Sequence, residues 1–432
     1  MQIDRLAIQN FRGFSSLELE FDPKFNLLVG GNASGKTSIL DAVYIAAGSW
    51  LLGIDGPRKA PTIDEDEVRL AEIPYGEGQF SFEKQYPVSI KAKGQVMGEP
   101  IEWTRVRTSD SSTTRYGAAT TILEIGKKTV SSMRSGENVD LPLISSYGTE
   151  RLWIEPEIPK KETRRSKLRH KERPTRLNGY RNIQFLIHEE ELFDWIEAET
   201  LASLQNGAES GAFKVVKNAM VGCIEDAKDL YYDVRRDEVV VVFAEHGIHP
   251  YEHLSDGQRA MLTVVGDLAK KANLLNLHMG ASVLDKTRGI VTIDELDIHL
   301  HPKWQRRVIR DLKRTFPKIQ FIASTHSPQL VGEAAPHEVI RLPEVIRPDN
   351  QLPDSPVQSF GMDSNWILKH VMEADDRDNE IKQRLDEADR LILKLEFEAA
   401  KDTLSRLRHD IGNHPDIVRL STRIDRLSGK TQ

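Results

Sequence analysis

The stretch FNLLVGGNASGKTSILDAVYIA, from Phe25 to Ala46, decides the fold of this chain. Residues 30–37 spell G-x-x-x-x-G-K-T, the pattern of a phosphate-binding loop between a strand and a helix. A short apolar run, Leu27–Val29, precedes the loop as a buried strand would, and apolar residues at helical spacing follow it from Ser38 to Ala46. Because strand, loop and helix stand in the order that the motif requires, the sequence predicts a phosphate site here.

The chemistry of such a loop gives each residue type a task. Glycines let backbone N–H groups close around phosphate oxygens, and the helix N-terminus adds a partial positive charge. We expect Lys36 to reach the β- and γ-phosphates, and the Thr37 hydroxyl to contact Mg²⁺. The alternative is a chance glycine-rich turn. The predicted nucleotide-binding residues of the loop are Gly30, Asn32, Ala33, Ser34, Gly35, Lys36, Thr37 and Ser38.

Composition restricts the class of protein. The 432 residues are 39% hydrophobic and 29% charged, with a mean hydropathy of -0.45, as in a globular protein of two or three structural units. Apolar runs fall short of the roughly 18 residues of a membrane span, and the N-terminus lacks the apolar region of a secretory signal. With Cys223 as the single cysteine, we expect no disulfide framework and a cytoplasmic location. The net charge of -7 restricts any nucleic-acid contact to a local basic patch.

Two apolar strands end in residues that fit the other half of a nucleotide site. Gly289–Ile293 is followed by Asp294, which would orient Mg²⁺, and by Glu295, which would polarise the attacking water. The alternative for this pair is an ordinary strand-to-loop junction. Gln320–Ala323 leads to His326, which either donates to a γ-phosphate or is held by a backbone partner as a structural histidine.

Two further segments have both a functional and a structural interpretation. LSDGQ, residues 254–258, opens a long predicted helix. Its N–H groups and the Ser255 hydroxyl, with Gly257 and Gln258, can bind a phosphate, or the serine can simply cap the helix. Near the N-terminus, the turn NFRGF carries Arg12 between two predicted strands, where spacing alone favours a solvated turn residue.

The remaining patterns indicate secondary structure rather than chemistry. The most basic window, Lys160 to Arg173, fits a contact with a phosphate backbone or an acidic partner as well as it fits a flexible charge run. Ile183 to Gln205 is typical of an amphipathic helix, and Val239 to Phe243 of a strand, with a loop expected over 246–251. Ile381 to Leu427 is charged and strongly periodic, which predicts two or three helices outside the nucleotide core.

Taken together, these motifs resemble those of ABC-type P-loop ATPases of the RecF, OLD and SMC branch. GGNASGKT matches Walker A, TIDELDIHLHP matches Walker B with the D-loop, and ASTHSP matches the switch-histidine motif. LSDGQ matches the signature LSGGQ, with Asp256 in place of the middle glycine. The resemblance implies an ATPase with Glu295 and His326 as catalytic residues and Asp297 in the D-loop. It also implies that Arg12 contacts the nucleotide, because NFRGF is similar to the F-R-x-F turn of this branch.

The resemblance also implies which ligands the protein binds and how its subunits assemble. ATP and Mg²⁺ are the implied ligands, with Thr37 and Asp294 on the metal. The family also uses a Q-loop glutamine on the metal, for which Gln85 is the candidate in this chain. Head-to-tail dimerisation is implied, in which Ser255 of one subunit completes the site at the Walker A loop of the other.

The implied fold is α/β, with an ABC-type core. We expect residues 1–345 to form the ATPase domain: a mixed sheet with an N-terminal antiparallel β part and a basic, partly helical insert at about 150–235. Residues 346–432 would form an all-helical appendage that docks a partner.

A narrower resemblance concerns function. YGTERLW at 147–153, RLNGY at 176–180, the approach GIHPYEHLSDGQR and the helical tail are similar to Septu-type anti-phage defence ATPases, including those carried with retrons. This implies a homodimer or higher oligomer that controls a separately encoded HNH nuclease, with nucleic acid or a reverse-transcribed DNA complex as a further partner and no membrane. The alternative is a RecF-like repair ATPase that clamps duplex DNA. A transporter ATPase is disfavoured, because such chains are usually shorter and lack the basic insert.

Overall fold

The computed structural model describes residues 1–55, 60–76, 79–115, 117–152, 175–181, 183–185, 189–343, 358–374 and 379–429. The basic run from Lys160 to Arg173 lies outside the described residues. The chain divides into two compact units, Met1–Asp363 and Ser364–Gln432. The division that we expect from the sequence, after residue 345, falls earlier in the chain and stays a prediction.

The first unit contains fifteen described strands and eight described α-helices. The strands are β1 (Gln2–Phe11), β2 (Phe14–Glu20), β3 (Phe25–Val29), β4 (Leu70–Gly76), β5 (Gln79–Lys84), β6 (Val88–Val96), β7 (Glu99–Arg107), β8 (Leu143–Tyr147), β9 (Gln184–Phe185), β10 (Ala227–Asp233), β11 (Glu238–Phe243), β12 (Gly247–Pro250), β13 (Gly289–Ile293), β14 (Ile319–Thr325) and β15 (Val339–Arg341). The helices are α1 (Lys36–Ala47), α2 (Thr120–Arg134), α3 (Glu189–Asn206), α4 (Gly211–Gly222), α5 (Asp256–Leu275), α6 (Val283–Lys286), α7 (Pro302–Thr315) and α8 (Pro328–Glu333).

A six-stranded parallel sheet in the order β15-β3-β14-β13-β8-β9 forms the centre of this unit. Strands β3, β8, β13 and β14 are buried at every residue, as is usual for a parallel sheet covered on both faces. Ile293 at the end of β13 lies opposite Tyr147 of β8 and Ala323 of β14. The carboxyl ends of these strands therefore meet at one edge, where ligands gather in open α/β sheets.

A second sheet, antiparallel and in the order β2-β1-β6-β7, contains the N-terminal strands. Its inner face is apolar by alternation: Leu6 and Ile8 of β1 are buried, and so are Leu17 and Leu19 of β2. The α/β class with an antiparallel N-terminal part is confirmed, with the antiparallel strands in a sheet of their own. The hairpin between β1 and β2 is the NFRGF turn.

Two secondary-structure predictions are wrong in detail. Residues 247–250, expected as a loop, form β12, because their backbone pairs with Val240–Phe243 in the three-stranded sheet β10-β11-β12. The helix expected from Ile183 begins only at Glu189, because Gln184–Phe185 pairs with the end of β8 instead. In both places a neighbouring strand offers hydrogen bonds that sequence periodicity does not reveal.

The second unit is helical. It contains α9 (Ser364–His370), α10 (Asn379–Leu393), α11 (Phe397–Ile411) and α12 (Pro415–Leu427). Its last three helices share an interior built from apolar side chains at helical spacing: Leu385, Ala388, Ile392, Ala400, Leu404, Leu407, Ile417, Leu420 and Ile424. Within the described residues, no helix combines the length and apolar character that crossing a membrane requires.

Candidate nucleotide site

An open cavity of about 320 Å³ lies at the carboxyl edge of the parallel sheet. The loop after β3, the residues that follow β13 and the residue that follows β14 converge on it. Its lining consists of Gly13, Asn32, Ala33, Ser34, Gly35, Lys36, Thr37, Ser38, Asp294, Glu295 and His326. The structure thus brings together most of the residues that the sequence predicts for a nucleotide site.

The Lys36 ammonium is held above the loop by its own backbone. Its Nζ donates to the carbonyl oxygens of Gly30 and Gly31, at 2.9 Å each. Burial lowers the pKa of Lys36 from its ordinary value of 10.5, and the nearby carboxylates of Asp294 and Glu295 oppose that shift. A bound phosphate would give the Lys36 ammonium a negatively charged partner. In the chain without a ligand, the two carbonyl oxygens accept its hydrogen bonds instead.

At position 35, the end of the loop, both the backbone conformation and a neighbouring side chain favour glycine. The φ of Gly35 is +84°, and a Cβ there would lie 2.3 Å from the ring atom Cζ of Phe14. Phe14 belongs to the N-terminal turn and is buried, so the second sheet supports the phosphate loop from below. The backbone of Ala33, with φ 65°, also lies in the left-handed region.

Ser34 offers a test of whether a phosphate fits. Its hydroxyl is buried and has no hydrogen-bond partner among the described residues. A buried polar group normally has a partner, because leaving it unpaired costs about 1–3 kcal/mol. The loop thus offers an unpaired hydroxyl, a buried ammonium and a helix N-terminus, and all three groups can bind an anion such as phosphate.

Thr37 and Asp294 form the candidate metal pair. The Thr37 hydroxyl donates to Asp294 Oδ2 at 2.8 Å, and the Ser324 hydroxyl donates to Asp294 Oδ1. A hydroxyl and a carboxylate side by side are hard oxygen ligands of the kind that Mg²⁺ takes together with phosphates. The donor set therefore fits the metal. Sequence reasoning missed Ser324, although it stands only two residues before the predicted His326.

Glu295 and His326 project into the cavity from two neighbouring strand ends. Glu295 has a φ of 45°, and its N–H donates to Ser324 Oγ at 2.7 Å. A left-handed conformation at a residue other than glycine is strained, and such strain is common where a side chain must be aimed at a ligand. His326 is exposed, and its N–H donates to Asp297 Oδ1 at 3.3 Å. Asp297 also accepts from the Thr325 hydroxyl at 2.6 Å, so the predicted D-loop is tied to the histidine segment.

Arg12 is not a solvated turn residue. Its guanidinium contacts Asp41 at 2.7 Å and Glu67 at 3.1 Å. Burial raises the pKa of both carboxyl groups, and Arg12 opposes the shift. Arg12 lines a neighbouring cavity of about 320 Å³ that shares Thr37 and Asp294 with the first. Its predicted nucleotide contact stays a prediction, and in this structure the guanidinium is paired with two carboxylates.

The signature segment lies outside both cavities of its own chain. Ser255 caps α5, accepting from Gln258 N–H at 3.3 Å, while Gln258 Oε1 accepts from Ser255 N–H at 3.0 Å. A Cβ at Gly257 would lie 2.8 Å from the carbonyl oxygen of His299. Asp256, which replaces a family glycine, pairs with Arg259 at 2.5 Å. The structure shows the helix cap, and phosphate binding by Ser255, Gly257 and Gln258 stays a prediction.

The role of Gln85 as the Q-loop glutamine stays a prediction, and the cavities do not support it. Gln85 follows β5, its Nε2 donates to the carbonyl oxygen of Glu83, and it lines neither cavity. Glu150 lines the second cavity instead, three residues after the end of β8. The sequence signal was present, because LPLISSYG predicts a buried strand entering a turn, and parallel strands end at the same edge.

Comparisons with known proteins agree with this geometry. A family model described as an AAA domain matches residues 5–215. The retron Ec83 probable ATPase of Escherichia coli is 24% identical over 443 residues, which cover 88% of this chain and 78% of that protein. Septu protein PtuA of Bacillus mycoides (strain KBAB4) is 28% identical over 339 residues, covering 76% of this chain and 38% of that protein.

Among solved structures, an SMC head bound to the C-winged helix domain of ScpA covers 79% of this chain and 94% of its own. The TM-score is 0.46 and the sequence identity is 16%. The match spans well under half of the PtuA relative and most of the retron relative. With its Walker motifs at one sheet edge, the chain is thus similar to an AAA domain over residues 5–215 and to relatives that include a retron ATPase and Septu protein PtuA.

Proposed function

We propose that this ATPase hydrolyses ATP at a site completed by a second copy of the chain, as the regulatory subunit of an anti-phage defence complex. One observation carries the catalytic part of the proposal. Thr37 and Asp294 are in contact at the cavity that also contains Lys36, Glu295 and His326, whereas the signature helix begins elsewhere. On this proposal, the two halves of an ATP site lie on different parts of the chain's surface.

The phosphate loop performs the binding. Lys36 exchanges its two carbonyl partners for oxygens of the β- and γ-phosphates, and Ser34 gains a hydrogen-bond partner. Thr37 and Asp294 would hold Mg²⁺, which would neutralise part of the phosphate charge. Charge-assisted hydrogen bonds to phosphate are about twice as strong as neutral ones, so Lys36 contributes strongly to affinity.

Glu295 and His326 act on the water and the γ-phosphate. Glu295 accepts a proton from the attacking water, and its strained backbone keeps the carboxylate aimed at the cavity. His326 donates a hydrogen bond to the γ-phosphate. Asp297 holds the histidine segment through Thr325, which keeps the two catalytic side chains in register.

A second copy would contribute the signature helix. Ser255 and the first N–H groups of α5 form a helix N-terminus, which attracts a negative charge. Within one chain this N-terminus lines neither cavity. Head-to-tail pairing would bring Ser255 of one copy to the γ-phosphate on the other. Turnover should then rise with protein concentration as dimers form.

The substitution Glu295→Gln tests the catalytic assignment. It keeps size and hydrogen bonding but removes the base, so we expect ATP affinity to persist and turnover to fall roughly 10²- to 10⁴-fold. The ATP-bound variant should also accumulate as a dimer in analytical ultracentrifugation. Glu398→Gln, at an exposed glutamate of α11, is the matched control and should leave turnover unchanged. Hydrolysis by Glu295→Gln at the parent rate would show that the assigned base is wrong.

The regulatory role rests on the resemblance to Septu-type ATPases and on the PtuA and retron relatives. The test is DNA cleavage by the purified ATPase with and without an HNH protein encoded beside it. We expect cleavage only when both are present, and expect Lys36→Ala to change its dependence on ATP. Cleavage by this chain alone would contradict the role. ATP-dependent duplex binding that weakens steeply with salt would instead favour a RecF-like clamp.

A further inference from the structure

Three neighbouring strands of the parallel sheet are each preceded by a basic residue. Lys24 stands directly before β3, Lys318 before β14 and Arg288 before β13. Strand β14 lies between the other two, and all three run in the same direction. Their amino ends therefore share one edge of the sheet, opposite the edge that carries the nucleotide cavity, and the three basic residues form a row across it.

A cavity of about 240 Å³ opens at this edge, and the row of basic residues lines it. We call this feature, defined by Lys24, Arg288 and Lys318, the amino-edge cleft. The other seven lining residues have uncharged side chains, among them the amide of Gln95 from the second sheet. All three basic residues are exposed. The cleft is thus a recess whose charged side chains are all positive.

This positive charge has no counter-charge close by. Within the part of the chain that the structure describes, none of the three basic side chains forms an ion pair or a hydrogen bond. Asp22 is near in sequence but is engaged elsewhere: its Oδ1 accepts from the Lys24 N–H at 2.7 Å, and its Oδ2 lies 3.6 Å from His337 Nε2. Because like charges repel one another, the row costs free energy until an anion binds.

A purely structural role would be to complement the negative ends of helices. Arg288 follows the end of α6 by two residues, and Lys318 follows the end of α7 by three. A cation at a helix C-terminus contributes about 0.3–1 kcal/mol, and the effect falls off beyond the last turn. Lys24 follows the strand β2, with no helix before it. Helix ends therefore do not account for the whole row.

We propose that the amino-edge cleft binds the phosphate backbone of a single-stranded nucleic acid. Neighbouring strands lie about 4.8 Å apart, so the row is about 10 Å long, longer than one phosphate group. In duplex geometry a nucleic-acid strand carries a phosphate about every 3.4 Å, and an extended strand has a wider spacing, so the row meets about two or three phosphates.

The lining also sets the kind of contact. It contains no aromatic side chain on which a base could stack, so the cleft contacts the backbone and binds independently of base sequence. The inference goes beyond the proposed function and does not rest on it, because the cleft shares no residue with either nucleotide cavity.

The variant that combines Lys24→Gln, Arg288→Gln and Lys318→Gln tests the cleft. Binding of a fluorescein-labelled oligothymidylate to the full chain is measured by anisotropy, without nucleotide and over a range of salt concentrations. The unsubstituted protein should bind, and the triple variant should bind roughly 100-fold more weakly at low salt, with a slope of log affinity against log salt that is shallower by about 1.5–2. The unfolding temperature and ATP turnover should not change, because the three side chains are exposed and line neither nucleotide cavity.

A matched control removes the same charge elsewhere. The variant that combines Lys127→Gln, Lys128→Gln and Lys228→Gln changes three exposed lysines outside the cleft and should keep the affinity of the unsubstituted protein. Equal losses in the two triple variants would assign the effect to net charge and overturn the inference. So would unchanged affinity in the cleft variant, whether or not its unfolding temperature falls, and so would an unsubstituted protein that does not bind the oligothymidylate.

Inorganic phosphate distinguishes a strand from a small anion. If calorimetry shows phosphate binding that the cleft variant loses, while both proteins bind oligothymidylate equally, the occupant is a free phosphate compound and the inference is overturned. ATP turnover is assayed separately. Oligothymidylate binding through the cleft in a protein without ATP turnover would support this inference and contradict the proposed function.

Discussion

The rim of the nucleotide cavity and the interior of the three-helix region, α10 to α12, are built on opposite principles. At the cavity, backbone angles are locally unfavourable: Arg12, Ala33 and Glu295 all have positive φ, and charged groups are partly buried. In the helical region, the interior is apolar and the ion pairs lie at the surface, as between Arg384 and Asp410. The difference indicates that ligand binding shapes the first region, and burial of apolar area shapes the second.

The largest expected effect tests whether apolar packing supports the helical region. Leu407 is fully buried among α10, α11 and α12. Leu407→Ala should cost about 2–5 kcal/mol in free energy of unfolding of this region. Limited proteolysis should then cut within residues 379–427 while ATP turnover is preserved. Lost turnover in Leu407→Ala would show that the two regions are energetically coupled and would break the comparison.

A pair of lysine variants tests the charged side of the comparison. Lys36→Ala should weaken ATP binding by about 1.5–3 kcal/mol, because it removes charge-assisted hydrogen bonds to phosphate. Lys401→Ala, which removes a surface contact with Glu398, should leave ATP affinity unchanged. Isothermal titration calorimetry measures both. Equal affinities in the two variants would remove Lys36 from the site.

The same lysine predicts a pH dependence. The charged form of Lys36 binds phosphate, and burial lowers its pKa from 10.5, so the charge is lost at a lower pH than in a free lysine. ATP affinity should therefore fall as pH rises, starting below the titration of exposed lysines. In Lys36→Arg, which keeps its charge, this fall should move to higher pH. An unchanged profile would assign the titration to another group.

Two glycines with positive φ sharpen the comparison further. Gly412, between α11 and α12, has open space where a Cβ would be, so Gly412→Ala should cost only backbone strain of about 1–3 kcal/mol. Gly35→Ala adds a clash with the Phe14 ring to a similar strain. Thermal unfolding should register both variants, whereas nucleotide binding should be lost only in Gly35→Ala. Retained binding there would mean that the Phe14 ring can move aside.

The smallest effect is expected at the surface of the helical region. Arg384 pairs with Asp410 and Glu380, and all three side chains are more than a third exposed. Arg384→Ala should change stability by less than about 1 kcal/mol, because exposed ion pairs are screened by water and salt. Chemical denaturation at low and high salt measures this. A larger, salt-independent loss would place Arg384 in the packing instead.

The sequence alone was sufficient for those site residues that directly follow a recognisable strand. The phosphate loop, the Asp294–Glu295 pair and His326 each follow a short apolar strand, so local pattern sufficed to place them at one edge. Residues that depend on strand register were missed. Ser324 contacts Asp294 only because β13 and β14 are neighbours, and Glu150 reaches the edge only because β8 pairs with β13.

The fold shows the same division. Long periodic segments such as α5 and α10 to α12 are predictable, since one face must be buried. Short elements are not: β9 has two residues and β12 four, and each exists because a partner strand supplies hydrogen bonds. Gln85 follows a predicted strand, and only the sheet order shows that this strand, β5, belongs to a separate two-stranded sheet.

The contact between Thr37 and Asp294 has a consequence for the life of the protein between encounters with ATP. In the free chain the candidate metal ligands satisfy each other, with Ser324 completing the carboxylate. In an emptied subunit this metal pair is therefore already satisfied, whereas the Ser34 hydroxyl of the phosphate loop still lacks a partner among the described residues. When nucleotide in a cell falls and later returns, such a subunit would persist through the shortage and reload.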